Sequence, residues 1–491
     1  MKKYKKVYII FTILITFFSI SIVNKTIQND TFSAIKIGDY ILKHGLDFIE
    51  HFNMQTNLSY HNARYLFNII IAIVYNHFGF FGIYLFACLI TAIIGNMVFN
   101  ILLKLKNNMV VSFLTTMIML FCSKVFFTSR AQIMSYLFLT IQLYSIEKLI
   151  KTNNYRYIFY IILCSILTAN IHTTIWLMTL LLFMPYFMEY ILSKTKYIKR
   201  SKRLYYDYIN IKILLVTFLL VLFSGLCTPL KDLPYTYMFK TLSGASTLYI
   251  TELQKVNIFS NYSLLIYTII YILLFVYFKI KIKISDLFLV IGLYIMSILA
   301  SRNIAFLTIL TVIVIARLIT SLLESKSKKL DDEMNKVMNC NLVLIPISIF
   351  ILIVSFYNFY DNYLSTKYIN NEEYPVKASK FINSNIDKSK MRLFNDFNNG
   401  AYLEFNNIKV FLDSRSEVYC KEFNDTSILT DYYAAYYGFE NYKTIFNKYN
   451  FTHILVKKEK KKNIIYSYIE DDSDYKLIYE DKYYLIYEKI K

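Results

Sequence analysis

The sequence has 491 residues, of which 56% are hydrophobic, and its mean hydropathy is +0.40. Apolar runs of about 17–22 residues recur along it, which is the length that an α-helix needs to cross a bilayer. This composition excludes an ordinary soluble domain and predicts a polytopic all-α membrane protein. The net charge of +20 does not indicate nucleic-acid binding, because most basic residues before the C-terminal region lie in short loops between apolar runs.

No motif of a soluble enzyme is present. The chain has no phosphate-binding GxxxxGK[ST], no dinucleotide-binding GxGxxG and no GxSxG nucleophile motif. Its six cysteines form no CxxC pair and no Cys/His spacing, so neither a disulfide framework nor a zinc site is predicted. Chemistry is therefore expected from polar residues placed beside the apolar segments.

About eleven apolar segments are predicted to cross the membrane. The first has no small-x-small cleavage site at its end, so we expect it to remain as an anchor. The stretch 59–78 is predicted to lie in the outer interface as a helix. The predicted spans are 7–23, 82–103, 108–123, 131–150, 156–170, 174–192, 212–227, 263–280, 284–300, 303–322 and 341–359.

The loops between these spans differ in basic charge. With the N-terminus in the cytoplasm, the cytoplasmic segments carry more than twice as many Lys and Arg as the outer segments. The densest cluster, 194–203, then lies in the cytoplasm, where topology and contact with anionic lipid explain it. Counting 59–78 as a span would move that cluster outside. The charge distribution therefore predicts a multi-pass protein with a cytoplasmic N-terminus and an extracytoplasmic C-terminal region.

Two domains are predicted, a transmembrane domain over 1–359 and a small extracytoplasmic α/β domain over 360–491. The second is more polar and alternates apolar with polar residues. A helix is expected to about residue 385, beginning at Tyr374-Pro375, and helical patterns lie near 427–449. Strands are predicted at 393–397, 402–405, 409–413, 451–456, 475–479 and 483–488, the last two as a hairpin.

Polar residues that are costly near a membrane are predicted to share its outer face. Because acids, histidines and arginines fall at one level, we expect them to form one site, in which a carboxylate acts as a base and arginines hold a phosphate. The candidates are Asp30, Glu50, His61, Arg64, Arg130, Gln132, Asn170, His172, Glu252, Arg302 and Asn303.

Each of the main candidates also has a structural explanation. Asp30 can cap the amphipathic helix predicted at 31–43, since an acid meets the positive end of a helix there. Arg130 and Arg302 can extend to lipid headgroups. His172 can be an interfacial hydrogen-bonding residue, and Glu252 an ordinary loop acid.

The pattern resembles the GT-C superfamily of integral-membrane glycosyltransferases, which includes oligosaccharyltransferases, protein O-mannosyltransferases and the lipid A aminoarabinose transferase. Asp30 occupies the position of the acidic residue in their first outer loop, and 31–45 and 59–78 resemble their two juxtamembrane helices. Arg130 resembles a basic residue at the outer start of a later span, and a soluble outer domain follows the last span.

The chain is also similar to a set of largely uncharacterised bacterial polytopic proteins, over most of its length. That similarity runs through Asp30–Gly45, Asn170-Ile171-His172, Ser301–Ile304 and the block Leu393–Leu403 with Val410–Arg415. In that block, Gly400 and Asp413–Arg415 are more simply explained by a turn and by an ion pair that fixes the fold. The first loop has no adjacent pair of acids and the tail no Trp-Trp-Asp motif, which argues against a true oligosaccharyltransferase.

The resemblance implies transfer of a sugar from a polyprenyl-phosphate donor to an envelope acceptor, at the outer face of a bacterial cytoplasmic membrane. Asp30 would be the base or a metal ligand, assisted by Glu50, His61 or His172. The remaining candidates, led by Arg130 and Arg302, would bind substrate and phosphate. A divalent cation, Mg²⁺ or Mn²⁺, stays open as a cofactor. The expected partners are membrane lipid and the lipid-linked sugar.

A transporter of lipid or glycolipid, or a scaffold for envelope assembly, is the alternative without catalysis. A transporter is expected to carry ionisable residues near the membrane midplane. The predicted spans are free of such residues and the charges lie at the outer rim, which favours chemistry at the surface.

Overall fold

The computed structural model describes residues 4–196, 198, 201–244, 246–326, 330–458 and 464–490. Several basic residues used to orient the chain lie outside these described residues: Lys2, Lys3, Lys199, Arg200, Lys328 and Lys329. The chain forms two compact units. The helical unit comprises Met1–Lys25, Tyr84–Tyr235 and Thr251–Thr366. The mixed unit comprises Thr26–Ile83, Thr236–Ile250 and Lys367–Lys491, so the first loop and the tail, which the predicted domains separate, belong to one unit.

Helices dominate the helical unit, and each of the eleven apolar segments is helical over most of its length. Their continuous apolar sequences leave no alternating pattern that a strand could use. The helices are α1 (Lys5–Ser21), α3 (Tyr65–Lys104, which begins in the mixed unit), α4 (Met109–Ser123), α5 (Gln132–Thr152), α6 (Arg156–Ile171), α7 (Leu177–Leu181), α8 (Met184–Ser193), α9 (Ile211–Ser224), α12 (Tyr262–Ile272), α13 (Ile284–Leu299), α14 (Ile304–Leu310), α15 (Val312–Lys326), α16 (Leu330–Asn339) and α17 (Asn341–Phe359).

Fewer helices meet the length and hydropathy of a membrane span than the eleven predicted. Among the described residues, five do so by length and composition, and six if the pair 301–310 and 312–325, bent by 42°, is one span. Four further apolar helices are shorter: Arg156–Ile171, Ile211–Ser224, Tyr262–Tyr277 and Ile284–Leu299. The number of spans above six stays a prediction.

The predicted interface helix at 59–78 begins later than expected and joins the next segment. Helix α3 starts at Tyr65 and runs to Lys104, with a break at Gly79, whose φ of +61° lies outside the helical region. A glycine permits this conformation because it has no Cβ. The stretch is therefore two helices in succession, and the chain passes from the mixed to the helical unit just after the break, at Ile83.

The mixed unit combines short helices with a four-stranded sheet of order β3-β4-β6-β5. Strands β3 and β4 are parallel, and the two other pairs are antiparallel. The helices are α2 (Asn29–His44), α10 (Leu233–Ser243, which begins in the helical unit), α11 (Ser246–Tyr249), α18 (Val376–Asn385), α19 (Gly400–Phe405), α20 (Lys421–Asn424), α21 (Ile428–Tyr437), α22 (Tyr442–Tyr449) and α23 (Ile464–Glu470). The sheet strands are β3 (Leu393–Phe394), β4 (His453–Lys457), β5 (Tyr475–Glu480) and β6 (Tyr484–Lys489); β1 (Leu204–Tyr205) and β2 (Ile282–Lys283) form a short separate pair.

Two predicted strands of the tail are wrong. Residues 402–405 belong to helix α19, and 409–413 form no ladder strand, only an isolated bridge between Asn53 and Val410. The apolar residues at 410–412 are fully buried in the cores of the mixed unit, and the Asn395 side chain bonds the backbone at Phe411 and Leu412. Burial on both sides produces the same apolar pattern as a strand, which explains the error. The helices at 376–385 and 428–449 and the hairpin at 475–489 are confirmed within a few residues.

Helix α2 packs against the start of α3 at very short range. A Cβ built on Gly38 would lie 2.0 Å from the Asn68 carbonyl oxygen, so only a glycine fits here. Asp39, one residue on, accepts a hydrogen bond from the Asn76 amide at 3.3 Å. This packing fixes where the first turn of α2, which carries Asp30, lies against the first turn of α3.

Candidate functional site

The predicted site residues are divided between the two units. Asp30, Glu50, His61 and Arg64 belong to the mixed unit. The other seven belong to the helical unit: Arg130, Gln132, Asn170, His172, Glu252, Arg302 and Asn303.

Three charged residues of the helical unit form one group, here named the rim group: Arg130, Glu252 and Arg302. The Arg130 guanidinium donates to both Glu252 carboxylate oxygens, at 2.5 and 3.3 Å. The Ser301 hydroxyl donates to the Glu252 backbone oxygen at 3.3 Å, which brings the turn that carries Arg302 against Glu252. All three charges lie within electrostatic range of the Tyr136 hydroxyl. Three segments far apart in sequence therefore meet at the start of α5.

The polar residues near the rim group bind helix ends. His172 is 4% exposed, and its Nδ1 lies 2.7 Å from the hydroxyl of Ser135, on the first turn of α5. The Asn170 amide donates to the Cys227 oxygen at 2.9 Å, and the Asn303 amide donates to the Met296 oxygen at 2.9 Å. Asn170 thus binds a backbone carbonyl just beyond the end of α9, and Asn303 binds one in the last turn of α13. The Gln132 side-chain oxygen is buried with no hydrogen-bond partner among the described residues.

Asp30 in the mixed unit lies just inside the start of its helix. Helix α2 begins at Asn29, the capping position is Gln28, and Asp30 lies in the first turn. Its Oδ2 lies 3.4 Å from Nη1 of Arg64, on the turn that opens α3. An acid in the first turn interacts favourably with the helix dipole. Both side chains remain partly accessible, at 13% and 15% exposed.

Glu50 lies in a fully buried ionic network rather than at an accessible surface. Arg415 donates to Glu50 at 2.5 and 3.1 Å, to Glu404 at 2.9 Å, and through Nε to Asp413 at 2.7 Å. All four side chains are 0% exposed. The guanidinium is thereby saturated, and Glu50 has a structural position. His61 also faces the tail, with its ring 5.5 Å from the Phe423 ring.

Protonation balances charge in this buried network. Burial raises the pKa of Glu404 well above its ordinary value, while Arg415 beside it opposes the shift. The Arg415 guanidinium lowers the pKa of Asp413 against the effect of burial. The two pKa shifts have opposite directions, so Glu404 holds a proton more readily than Asp413 does, since a single guanidinium cannot compensate three buried carboxylates.

Tyr60 and Glu417 belong beside Arg64, although the sequence did not indicate them. The Tyr60 ring lies 4.8 Å from the Arg415 guanidinium, and its buried hydroxyl has no hydrogen-bond partner among the described residues. Arg64 and Glu417 are both within electrostatic range of that hydroxyl. Burial raises the pKa of Glu417, and Arg64 opposes the shift. No local pattern marks either residue, because only the fold brings them to the Asp30–Arg64 pair.

The donor set does not fit a resident divalent cation. Within the described ranges, no group of three or more His, Cys, Asp and Glu is arranged to hold a metal. The nearest charged partner shown for Asp30 is the Arg64 guanidinium, which competes with a cation for the same carboxylate.

The helical unit contains a second charged network, which the sequence did not predict. Arg317 donates to Asp286 at 2.7 Å and to Glu147 at 3.0 Å, and Lys283 lies 2.9 Å from Asp207. Glu147, Lys283 and Asp286 are buried. Glu147 lies fifteen residues beyond Gln132 on α5, roughly 22 Å along the helix at 1.5 Å per residue. The two charged networks therefore lie at opposite ends of α5, and the expectation that charges lie only at the rim is wrong.

Comparison with known proteins found no family model that matches this sequence and no curated protein that matches it.

Proposed function

We propose that this chain is an integral-membrane glycosyltransferase that takes its sugar from a polyprenyl-phosphate donor. The rim group carries the proposal: two arginines meet at the end of apolar helices, where the phosphate of a lipid with an apolar tail is expected. Guanidinium groups bind phosphate oxygens through paired hydrogen bonds, which suits Arg130 and Arg302 to this role.

The existing ion pair at Arg130 is compatible with binding a phosphate. Glu252 is 45% exposed, and an ion pair this accessible contributes only about 1 kcal/mol or less. A phosphate brings more charge and more acceptor oxygens than one carboxylate, so it can displace Glu252 from Arg130.

Asp30 is assigned the role of base. It takes the proton of an acceptor hydroxyl, whose oxygen forms a bond to the anomeric carbon of the sugar. The bond between that carbon and the phosphate oxygen breaks, and polyprenyl phosphate leaves with the electron pair. The acceptor oxygen enters opposite the leaving phosphate, so the anomeric configuration inverts.

The test of the base is transfer by the purified full-length protein in lipid nanodiscs. Radiolabelled polyprenyl-phosphate sugars are supplied with a membrane-envelope fraction as the acceptor. We expect Asp30→Asn to reduce transfer about 100-fold or more. Asp39→Asn is the matched control, because Asp39 lies on the same helix and pairs with Lys43 at 2.6 Å. Transfer that survives Asp30→Asn would remove Asp30 as the base.

Binding of the donor phosphate is tested separately at the rim group. Arg130→Gln is expected to weaken binding of polyprenyl phosphate, measured by native mass spectrometry. Glu252→Gln is expected to strengthen it several-fold, because Arg130 is then released from its carboxylate partner. Equal binding by both variants would contradict the assignment of Arg130.

Transport or scaffolding is the second candidate, and the buried network around Arg317 is the observation that bears on it. Ionisable residues buried among apolar helices often mark the path of a transported substrate or ion, although this network lies at one end of α5 and not at its middle. If the wild type transfers sugar from no donor but still binds polyprenyl phosphate, the evidence favours this second function.

A further inference from the structure

The Asp30–Arg64 pair of the mixed unit has a second carboxyl group, that of Glu417, within electrostatic range. Arg64 is the cation for Asp30 at 3.4 Å and also acts on Glu417. Arg415 also lies within electrostatic range of Glu417, but its guanidinium is shared with Glu50, Glu404 and Asp413. The cluster of Asp30, Arg64, Glu417 and Tyr60, named here the acidic subsite, thus contains two carboxyl groups and one guanidinium.

This charge balance argues against a phosphate in the acidic subsite. The Asp30 and Glu417 carboxyl groups would repel a phosphate. Arg64 is therefore better suited to a neutral ligand than to the phosphate expected from the sequence. A neutral ligand rich in hydroxyl groups fits, because each hydroxyl donates to a carboxylate and accepts from a guanidinium or phenol.

The Tyr60 hydroxyl indicates a ligand independently of the charge balance. Its side chain is 3% exposed, and its hydroxyl has no hydrogen-bond partner among the described residues. Buried polar groups in native proteins are nearly always satisfied, so a hydroxyl left open beside two charged side chains calls for a partner that binds there. Asp30 and Arg64 keep the subsite reachable, since both remain partly exposed.

We propose that Asp30, Tyr60, Arg64 and Glu417 bind a polyhydroxylated acceptor, a sugar or sugar-like group. Glu417 accepts a hydrogen bond from one acceptor hydroxyl, and Tyr60 donates to another. The neighbouring hydroxyl, held beside Asp30, is the one that loses its proton. The inference rests on the proposed function and names its acceptor class. Among the described residues, the charged and titratable groups that face Glu417 are Arg64, Arg415, Asp413, Tyr60 and Cys420.

Binding is measured without turnover, by saturation-transfer difference NMR on the full-length protein in nanodiscs. The probes are methyl glycosides of glucose, galactose, mannose and N-acetylglucosamine. We expect wild type to bind at least one of them, and Tyr60→Phe and Glu417→Gln to weaken that binding about tenfold each. Asp425→Asn is the control, because Asp425 is exposed and has a φ of +49° that asparagine tolerates.

Tyr60→Phe separates a binding role from a structural one. It keeps the ring against Arg415 and removes only a hydroxyl that has no partner in the described part of the chain, so the thermal midpoint of the free protein should not fall. Equal glycoside binding by wild type, Tyr60→Phe and Glu417→Gln would overturn the subsite, as would binding of no glycoside by wild type. Sugar transfer from a polyprenyl-phosphate donor, assayed alongside, decides the proposed function independently.

Discussion

Charged side chains of this protein lie in two different environments. The Arg130–Glu252 pair reaches solvent, whereas Arg415 and its three carboxylate partners are 0% exposed. Water solvates the charges of the Arg130–Glu252 pair but does not reach those of the Arg415 network. Removing one partner therefore costs much less stability in the exposed pair than in the buried network. An accessible ion pair is free to exchange its partner for a ligand, and a buried one holds the fold.

Removal of the buried arginine is expected to be severe. Arg415→Met leaves Glu50, Glu404 and Asp413 enclosed without a cation, and we expect a loss of about 3–5 kcal/mol in the free energy of unfolding. Thermal unfolding of the full-length protein in detergent measures it. The matched variant is Arg392→Met, since among the described residues the Arg392 side chain donates only to the Tyr449 oxygen, at 2.8 Å. Equal midpoints for the two variants would contradict a structural role for Arg415.

Glu404 gives the same network a pH dependence of known sign. Its pKa is raised above the ordinary 4.5 by burial, so the native state keeps a proton that the unfolded state releases above that pH. The free energy of unfolding therefore falls as pH rises from about 4.5. Glu404→Gln carries no proton to release, and its unfolding midpoint at neutral pH should equal or exceed that of wild type. A midpoint several degrees lower would mean that Glu404 is ionised.

Helices α2 and α3 approach each other closely, and this contact positions Asp30 against Arg64. Gly38 permits it, because the Asn68 carbonyl occupies the space that any Cβ would take. Asp30 and Arg64 lie at the first turns of the two helices, so a displacement of one helix changes their distance directly.

Gly38→Ala is expected to disrupt this contact. A Cβ at 2.0 Å from the Asn68 oxygen forces the helices apart, at a cost of about 1–3 kcal/mol in stability and with a loss of transfer activity. Gly292→Ala, in helix α13, is the control, because nothing lies within 4 Å of its added Cβ and alanine favours helix. Thermal midpoints of both variants measure the difference. A Gly38→Ala protein as stable and active as the control would contradict the packing argument.

The two units of the protein differ in the side chains that they bury. The helical unit holds the longest apolar helices and two charged networks at opposite ends of α5. The mixed unit holds the sheet, the buried Arg415 network and the acidic subsite. Each unit is assembled from three stretches of chain, so neither is a contiguous domain.

Orientation in the membrane is predicted from the Lys and Arg distribution. In a cysteine-free background, we introduce single cysteines at Asn154 and Lys255, exposed residues that follow α5 and α11. A membrane-impermeant maleimide should label Lys255→Cys on intact cells and Asn154→Cys only after permeabilisation, because the more basic loops stay in the cytoplasm. The reverse pattern would invert the topology, and equal labelling would contradict a membrane between the two loops.

The helices were predictable because their apolar runs are long and continuous. Patterns of this kind require no tertiary information, and every predicted apolar segment is helical in the structure. The errors lie where burial on both sides resembles a strand, as at 410–412, and where a glycine opens a helix, as at Gly400. The sequence indicated Asp30 of the mixed unit and the two arginines of the rim group, because charge beside apolar sequence is conspicuous.

Composition and periodicity are local properties, so the sequence alone was enough to locate the helices and the charged residues beside them. Which partners those residues have depends on the tertiary structure. It placed Glu50 in a buried network, joined Arg130 to Glu252, and brought Tyr60 and Glu417 to Arg64. These contacts join residues up to 365 positions apart, and a buried charge selects its partner by proximity and desolvation rather than by position in the chain.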